Sequence, residues 1–167
     1  MRALVFVLLL AGCRVPCDAD GKPSASQLAR EQKAMYRGQP ICRQLLAPEV
    51  TVSADRVVLK AVQENAMADA ELGPRLVQYR DHFRAVRAGE PYDATITFHL
   101  DPALPSARVV ALLAAAANAG IPRMHLEAGT TQAELTVAKT AAPLVPGPTA
   151  ATLVQVAATA RTASLTP

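Results

Sequence analysis

The sequence predicts an α+β fold, a two-layer sandwich in which two helices cover one face of a small mixed sheet. Two observations predict this class. Ile96, Phe98 and Leu100 alternate with polar residues, which is typical of a strand buried on one face. A helical segment and a second alternating segment follow, and a strand–helix–strand unit of this kind makes its two strands parallel, with a right-handed crossover.

The first half of the predicted domain contains a hairpin and a helix. Residues 49–60 predict a β-hairpin with its turn at Ala54 and Asp55, because β-branched residues flank that pair on both sides. Residues 69–87 predict a helix, because their apolar residues recur at spacings of three and four.

The strand–helix–strand unit follows. Residues 94–100 predict the first strand, and residues 107–119 predict a helix that Ser106 caps and Gly120 ends. Residues 123–127 predict the second strand. The outward positions of the two strands are polar, so this face of the sheet is expected to meet water; they are Thr95, Thr97, His99, Arg123, His125 and Glu127.

The pattern weakens after Gly129, where we place the end of a domain of residues 48–129. Residues 130–167 form a C-terminal extension, with a further strand expected at residues 134–138 and a proline-rich linker at residues 143–148. Within the last segment, residues 153–156 either pair on a sheet edge or belong to a disordered tail.

The N-terminus has the order of a secretory signal peptide. Arg2 precedes a short apolar run at residues 4–10, and small residues lead to Cys13. Because these residues resemble a bacterial lipobox, we expect removal of residues 1–12 and acylation of Cys13. The alternatives are an ordinary signal peptide with an unmodified Cys13, or an uncleaved membrane anchor, although the run is shorter than the roughly 20 residues that a spanning helix needs. Residues 13–47 are then a lipid-anchored tether with a short helix.

The two remaining cysteines form an even pair in an oxidising compartment. Cys17 and Cys42 either form a disulfide, remain unpaired, or pair between molecules. No His or Cys lies at a ligand-like spacing from them, so we expect no metal there and no cofactor.

His99, His125 and Glu127 are the polar residues that deserve a specific hypothesis. If the two parallel strands are neighbours, these side chains come within reach of one another and form a pH-sensitive patch or a weak surface metal site. The alternative is two solvated surface histidines, and it is the one we adopt over both the patch and the metal site, because a metal site needs more ligands and a closed geometry.

Composition and motifs exclude two functional classes. The formal net charge is only +3 and no dense Lys/Arg cluster contains interleaved aromatics, so nucleic-acid binding is not expected. No nucleophile–base order, glycine-rich phosphate loop or carboxylate pair is recognisable, so we expect no enzymatic activity.

Three segments resemble the periplasmic domain of the ExbD/TolR family. They are residues 50–59, an opening hairpin; residues 94–101 with the helix segment 108–113; and residues 117–126, a helix end, a glycine and a strand. The resemblance implies a dimerising protein beside the proton-driven motors of the cell envelope, and TolR-like domains are also linked to peptidoglycan. That family carries a membrane helix with an essential Asp, whereas the run 4–10 has no acid, so direct proton transduction is not expected here.

We therefore expect an envelope lipoprotein that is an accessory or structural partner in TonB/Tol-type biopolymer transport, with a homodimer as one arrangement. Arg14 follows the lipidated cysteine in place of Asp, which by resemblance to sorted lipoproteins favours the outer membrane facing the periplasm. The alternatives are a passive outer-envelope lipoprotein that binds peptidoglycan or a small ligand, and a membrane-inserted transporter subunit.

Overall fold

The computed structural model describes residues 41–61, 63–87 and 89–165. This part contains four helices and seven strands, in the chain order α1 (Ile41–Leu46), β1 (Glu49–Val52), β2 (Val57–Lys60), β3 (Glu64–Met67), α2 (Asp69–Val86), β4 (Thr95–Leu100), α3 (Ser106–Asn118), β5 (Arg123–Ala128), β6 (Thr131–Val137), α4 (Ala150–Ala160) and β7 (Thr162–Ala163). The α+β class that the sequence predicts is confirmed.

All seven strands belong to one mixed sheet, in the order β3-β2-β1-β4-β5-β6-β7. The central strands β1, β4 and β5 are parallel, while the hairpins β1–β2 and β5–β6 are antiparallel. The predicted hairpin, the predicted helix at residues 69–87 and the parallel strand–helix–strand unit are therefore confirmed. The strand expected at residues 134–138 is present as β6, which begins three residues earlier. The sheet is wider than expected, because β3 extends it on one side and β7 extends it on the other.

One hydrophobic core joins the sheet to three helices. The inward residues of the strands are buried in a period-two pattern, which is clearest in β4 and β5. They share a single cluster with buried residues of α2, α3 and α4, among them Leu76, Leu113 and Leu153. At about 25 cal/mol per Å² of apolar surface, burial of this kind is the main stabilising contribution to such a domain.

Arg108 ties the first hairpin to two helices. It lies on α3, and its guanidinium makes a bidentate ion pair with Asp69 at 2.7 and 2.8 Å, at the start of α2. Its Nη1 also donates to the backbone oxygens of Ser53 and Ala54, at 2.7 and 2.9 Å, in the hairpin turn. The hydrogen bonds from Arg108 lower the pKa of Asp69 below 3.8.

Two local predictions are wrong. Ser106 does not cap α3, because it is the first residue of the helix and Pro105 occupies the N-cap position. The backbone N–H of Ser106 donates to Pro148 O at 3.1 Å. Residues 153–156 form neither an edge strand nor a disordered tail, because they lie in α4. That helix begins after Thr149, whose side chain accepts a hydrogen bond from the Thr152 backbone N–H.

Candidate functional site

Three neighbouring strands position the polar side chains of the sheet. In the parallel pair β4–β5, His99 lies opposite Glu127. In the antiparallel pair β5–β6, His125 lies opposite Glu134 and Glu127 lies opposite Gln132. We call this surface the open face: the half-buried or exposed side of β4, β5 and β6 that carries Thr95, Thr97, His99, Arg123, His125, Glu127, Gln132, Glu134 and Thr136.

Two histidines and two glutamates form a continuous hydrogen-bonded chain across the open face, and we call it the His–Glu cluster. His99 Nδ1 lies 2.8 Å from Glu127 Oε2. His125 Nε2 lies 3.0 Å from Glu127 Oε1, and His125 Nδ1 lies 2.6 Å from Glu134 Oε1. The cluster thus joins β4, β5 and β6, with His125 in contact with two carboxylates and Glu127 in contact with two imidazoles.

The members of the cluster differ in exposure. The side chains of His125 and Glu127 are 26% and 30% exposed, whereas that of Glu134 is 73% exposed. Glu127 also accepts a long hydrogen bond of 3.4 Å from Gln132 Nε2. Glu127 is therefore the central and better-held acid of the cluster, and Glu134 is its solvent-exposed end.

These contacts shift two pKa values in opposite directions. Burial lowers the pKa of His125, but the hydrogen bonds to Glu134 and Glu127 together outweigh burial, so that this pKa rises above 6.5. Hydrogen bonds from His125 and His99 lower the pKa of the Glu127 carboxyl below 4.5. Both shifts favour the charged forms, an imidazolium beside a carboxylate.

The structure brings together the three residues that the sequence singled out. His99 and His125 meet through the carboxylate of Glu127, each bonded to a different oxygen. Glu134 is not among the residues that the sequence singles out, although a two-residue turn at Gly129 and Thr130 places it opposite His125. In the part of the chain that the structure describes, no group of three or more His, Cys, Asp or Glu side chains could hold a metal ion.

The predicted covalent sites cannot be placed. Cys13 and Cys17 lie outside the described residues, as does the side chain of Cys42. Lipidation and the disulfide therefore stay predictions. No helix in residues 41–61, 63–87 and 89–165 is long and apolar enough to cross a membrane.

A groove lies beside α3, separate from the open face. It is an open groove of about 600 Å³, lined mainly by alanine and valine side chains, with Lys139, Asn118 and Ser164 as its polar residues. Its helix side is formed by Ala107, Val110, Ala111, Ala114 and Ala117. The groove contains no His, Cys, Asp or Glu, so it suits binding of an apolar group better than chemistry.

No family model, no curated protein and no solved structure matches the chain.

Proposed function

We propose that this chain is an envelope lipoprotein, anchored through Cys13, and that its folded part acts as an accessory or structural partner in TonB/Tol-type biopolymer transport. The partner proteins contact the open face, and the domain is a binding module rather than an enzyme. The lipid places it in the cell envelope, at the outer membrane facing the periplasm. The folded part resembles the ExbD/TolR periplasmic domain.

The order and pairing of the elements support this proposal. An opening hairpin, a helix and a parallel strand–helix–strand unit follow one another along the chain, as the resemblance implies. The proposal includes a two-layer sandwich in which α2, α3 and α4 all lie against the buried face. It is supported by the single core that these helices share with the inward strand residues.

The asymmetry of the sheet is the observation that carries the proposal. One face is buried in the core, while the opposite face is polar and reaches across the central strands. It presents charged and hydroxyl side chains that suit a protein surface of matching polarity. The sheet edge at β3 offers main-chain groups for strand addition by a partner.

Site-specific photo-cross-linking in living cells tests the proposal. p-Benzoylphenylalanine is introduced at Thr51 or Thr136, both exposed on this side of the sheet, and at Gln78 as a matched exposed control on α2. We expect adducts with motor-channel or TonB-like envelope proteins from the two sheet positions and none from the control. Equal yields of adducts from all three positions, or no adducts with motor-channel or TonB-like proteins, would overturn the proposal. Adducts with peptidoglycan fragments alone would support the passive lipoprotein instead.

The anchor is tested separately with radiolabelled palmitate. The wild-type chain is expected to incorporate the label, and Cys13→Ala is expected to abolish it. Persistent membrane attachment of unlabelled Cys13→Ala would support the membrane-inserted alternative.

The groove beside α3 favours a second candidate function, the binding of a small apolar ligand by a passive outer-envelope lipoprotein. Its size lies within the usual range of ligand pockets, about 300–1,000 Å³. Anilinonaphthalene sulfonate is a suitable fluorescent probe. If the groove binds such ligands, Ala111→Trp, which fills it, removes the fluorescence, while Ala158→Trp on the exposed side of α4 retains it.

A further inference from the structure

His125 contacts a carboxylate through each of its ring nitrogens. Nδ1 faces Glu134 at 2.6 Å and Nε2 faces Glu127 at 3.0 Å. An ionised carboxylate only accepts hydrogen bonds, and a neutral imidazole has one N–H and one acceptor nitrogen. Both contacts can therefore be hydrogen bonds at once only when His125 is an imidazolium with two N–H groups.

His99 has no such requirement. It makes a single contact, from Nδ1 to Glu127, and a neutral ring with its proton on Nδ1 satisfies it. The two histidines of the cluster thus have different roles: His99 supports Glu127, and His125 requires an additional proton.

Among the residues that the structure describes, Glu127 and Glu134 are the charged groups in contact with His125. On its own strand the charged neighbours of the same face are Glu127 and Arg123, and Arg123 pairs with Asp93. From β6 the facing group is Glu134, and from β4 the register partner is the neutral Thr97, with His99 beyond it. The helices pack on the other side of the sheet through apolar residues.

We propose that His125 is a proton-binding switch on the open face: with two ring protons it bridges Glu127 and Glu134, and loss of one proton releases Glu134. The proton passes to water, and the cluster becomes more negative by one charge. This inference does not depend on the proposed function, because every contact in it lies within the domain.

When His125 loses a proton, the contact with Glu134 is broken rather than the contact with Glu127, because Glu127 accepts hydrogen bonds from other donors. Glu127 keeps its hydrogen bonds from His99 and Gln132, while the Glu134 side chain is mostly exposed and reaches His125 from the solvent side. The remaining proton of His125 stays on Nε2, toward Glu127. A lone pair on Nδ1 then faces the Glu134 carboxylate, and this repulsion moves Glu134 into water.

The pH range of the switch follows from the two shifted groups. The pKa of His125 is raised above 6.5 and that of Glu127 is lowered below 4.5, so between pH 4.5 and pH 6.5 His125 is mainly an imidazolium and Glu127 mainly a carboxylate, as the bridge requires. As the pH rises through the raised pKa of His125, the link between β5 and β6 opens. The charge of the open face therefore depends on the pH of its surroundings.

Nitrogen NMR of the full ¹⁵N-labelled chain in detergent micelles tests the switch. Both ring nitrogens of His125 are expected to be protonated at pH 6, and at high pH the proton is expected on Nε2. Glu134→Gln should lower the titration midpoint of His125 by about 0.5–1 pH unit, because it removes one adjacent carboxylate. Glu49→Gln, on the same side of β1 and paired with Lys60, is the matched control and should leave the midpoint unchanged.

Two results would overturn the proposal: a neutral His125 ring at pH 6, or a midpoint that Glu134→Gln and Glu49→Gln change equally. Because Glu134 is exposed, its variant is expected to keep the fold, which the backbone amide spectrum verifies. A midpoint lowered by Glu134→Gln together with a high-pH proton on Nδ1 would mean that Glu127 is released instead, and would contradict the proposed direction.

Discussion

Replacing Arg108 by Ala is expected to destabilise the domain. The side chain joins α3 to the start of α2 through Asp69 and to the hairpin turn through Ser53 O and Ala54 O. Truncation removes four hydrogen bonds at once. It also leaves the two turn carbonyls without this donor.

The magnitude follows from the exposure of each contact. The Arg108 side chain is 22% exposed, and that of Asp69 is 43% exposed. Each hydrogen bond to a carbonyl contributes about 1 kcal/mol. The partly exposed ion pair adds less than about 1 kcal/mol, because solvent screens it. We therefore expect Arg108→Ala to lower the free energy of unfolding by about 2–3 kcal/mol.

The contribution of the ion pair depends on pH. The pKa of Asp69 is lowered by its hydrogen bonds from Arg108, so the pair contributes stability above about pH 3.8 and loses it as the pH falls further. Asp69→Asn should remove only this part. Its effect should be at most about 1 kcal/mol at pH 7 and should shrink at pH 3.

Urea denaturation followed by circular dichroism measures these differences. Arg108→Lys keeps the positive charge but lacks the planar guanidinium that makes several hydrogen bonds at once, so it should recover less than half of the lost free energy of unfolding. Arg75→Ala is the matched control, because Arg75 makes one exposed contact with Gln78; it should change stability by less than about 0.5 kcal/mol. Equal destabilisation by Arg108→Ala and Arg75→Ala would refute the reasoning.

Four further predictions concern two glycines, the core and pH. Gly147→Ala should destabilise the domain by about 1–3 kcal/mol, because its Cβ would lie 2.6 Å from Thr152 Cβ at the start of α4. Gly73 lies within α2, and a Cβ added there would meet only ordinary contacts with Ala115 of α3; Gly73→Ala should instead stabilise the domain by about 0.5–1 kcal/mol, and a loss would contradict this. Phe98→Ala should cost about 3–5 kcal/mol in denaturant melts, because the ring is fully buried in the central strand; a loss below about 1 kcal/mol would be inconsistent with that burial. The stabilisation from His125, measured against His125→Gln, should be complete below about pH 6.5 and decline as the pH rises through the raised pKa of His125; an increase with pH there would reverse the expected sign.

The sequence predicts the centre of this fold better than its margins. Ile96, Phe98, Met124 and Leu126 alternate with polar residues because one side of β4 and β5 is buried, and that periodicity is visible without coordinates. By contrast, β3 has no β-branched residue, and it is a strand because the edge of β2 provides its hydrogen-bonding partner.

The C-terminal helix was missed because its residues favour strands locally. Val154 and Val156 are β-branched, which suggested an edge strand, yet burial of Leu153, Val154 and Ala157 against the core makes them one side of a helix. Tertiary packing, rather than local propensity, therefore makes this segment a helix. The local sign of the helix is Thr149, a residue type that favours the N-cap position.

The candidate site was predictable in part for a similar reason. His99, His125 and Glu127 follow from strand alternation and parallel pairing alone. Glu134 depends on the exact register of β6, which the turn after Ala128 sets. The protonation of His125 depends in turn on both carboxylates, so it could not be inferred while one of them was missing.

The strand order also has a kinetic consequence. The three hairpins, β1–β2, β2–β3 and β5–β6, close within a few residues, and such units form in about 1–10 μs. The parallel pairing of β1 with β4 instead brings Val50 opposite Phe98, which lies 48 residues later in the chain. The segment between these two strands contains α2 and the loop after it. Because contacts between residues far apart in sequence slow folding, the pairing of β1 with β4 is expected to limit the rate at which the domain folds.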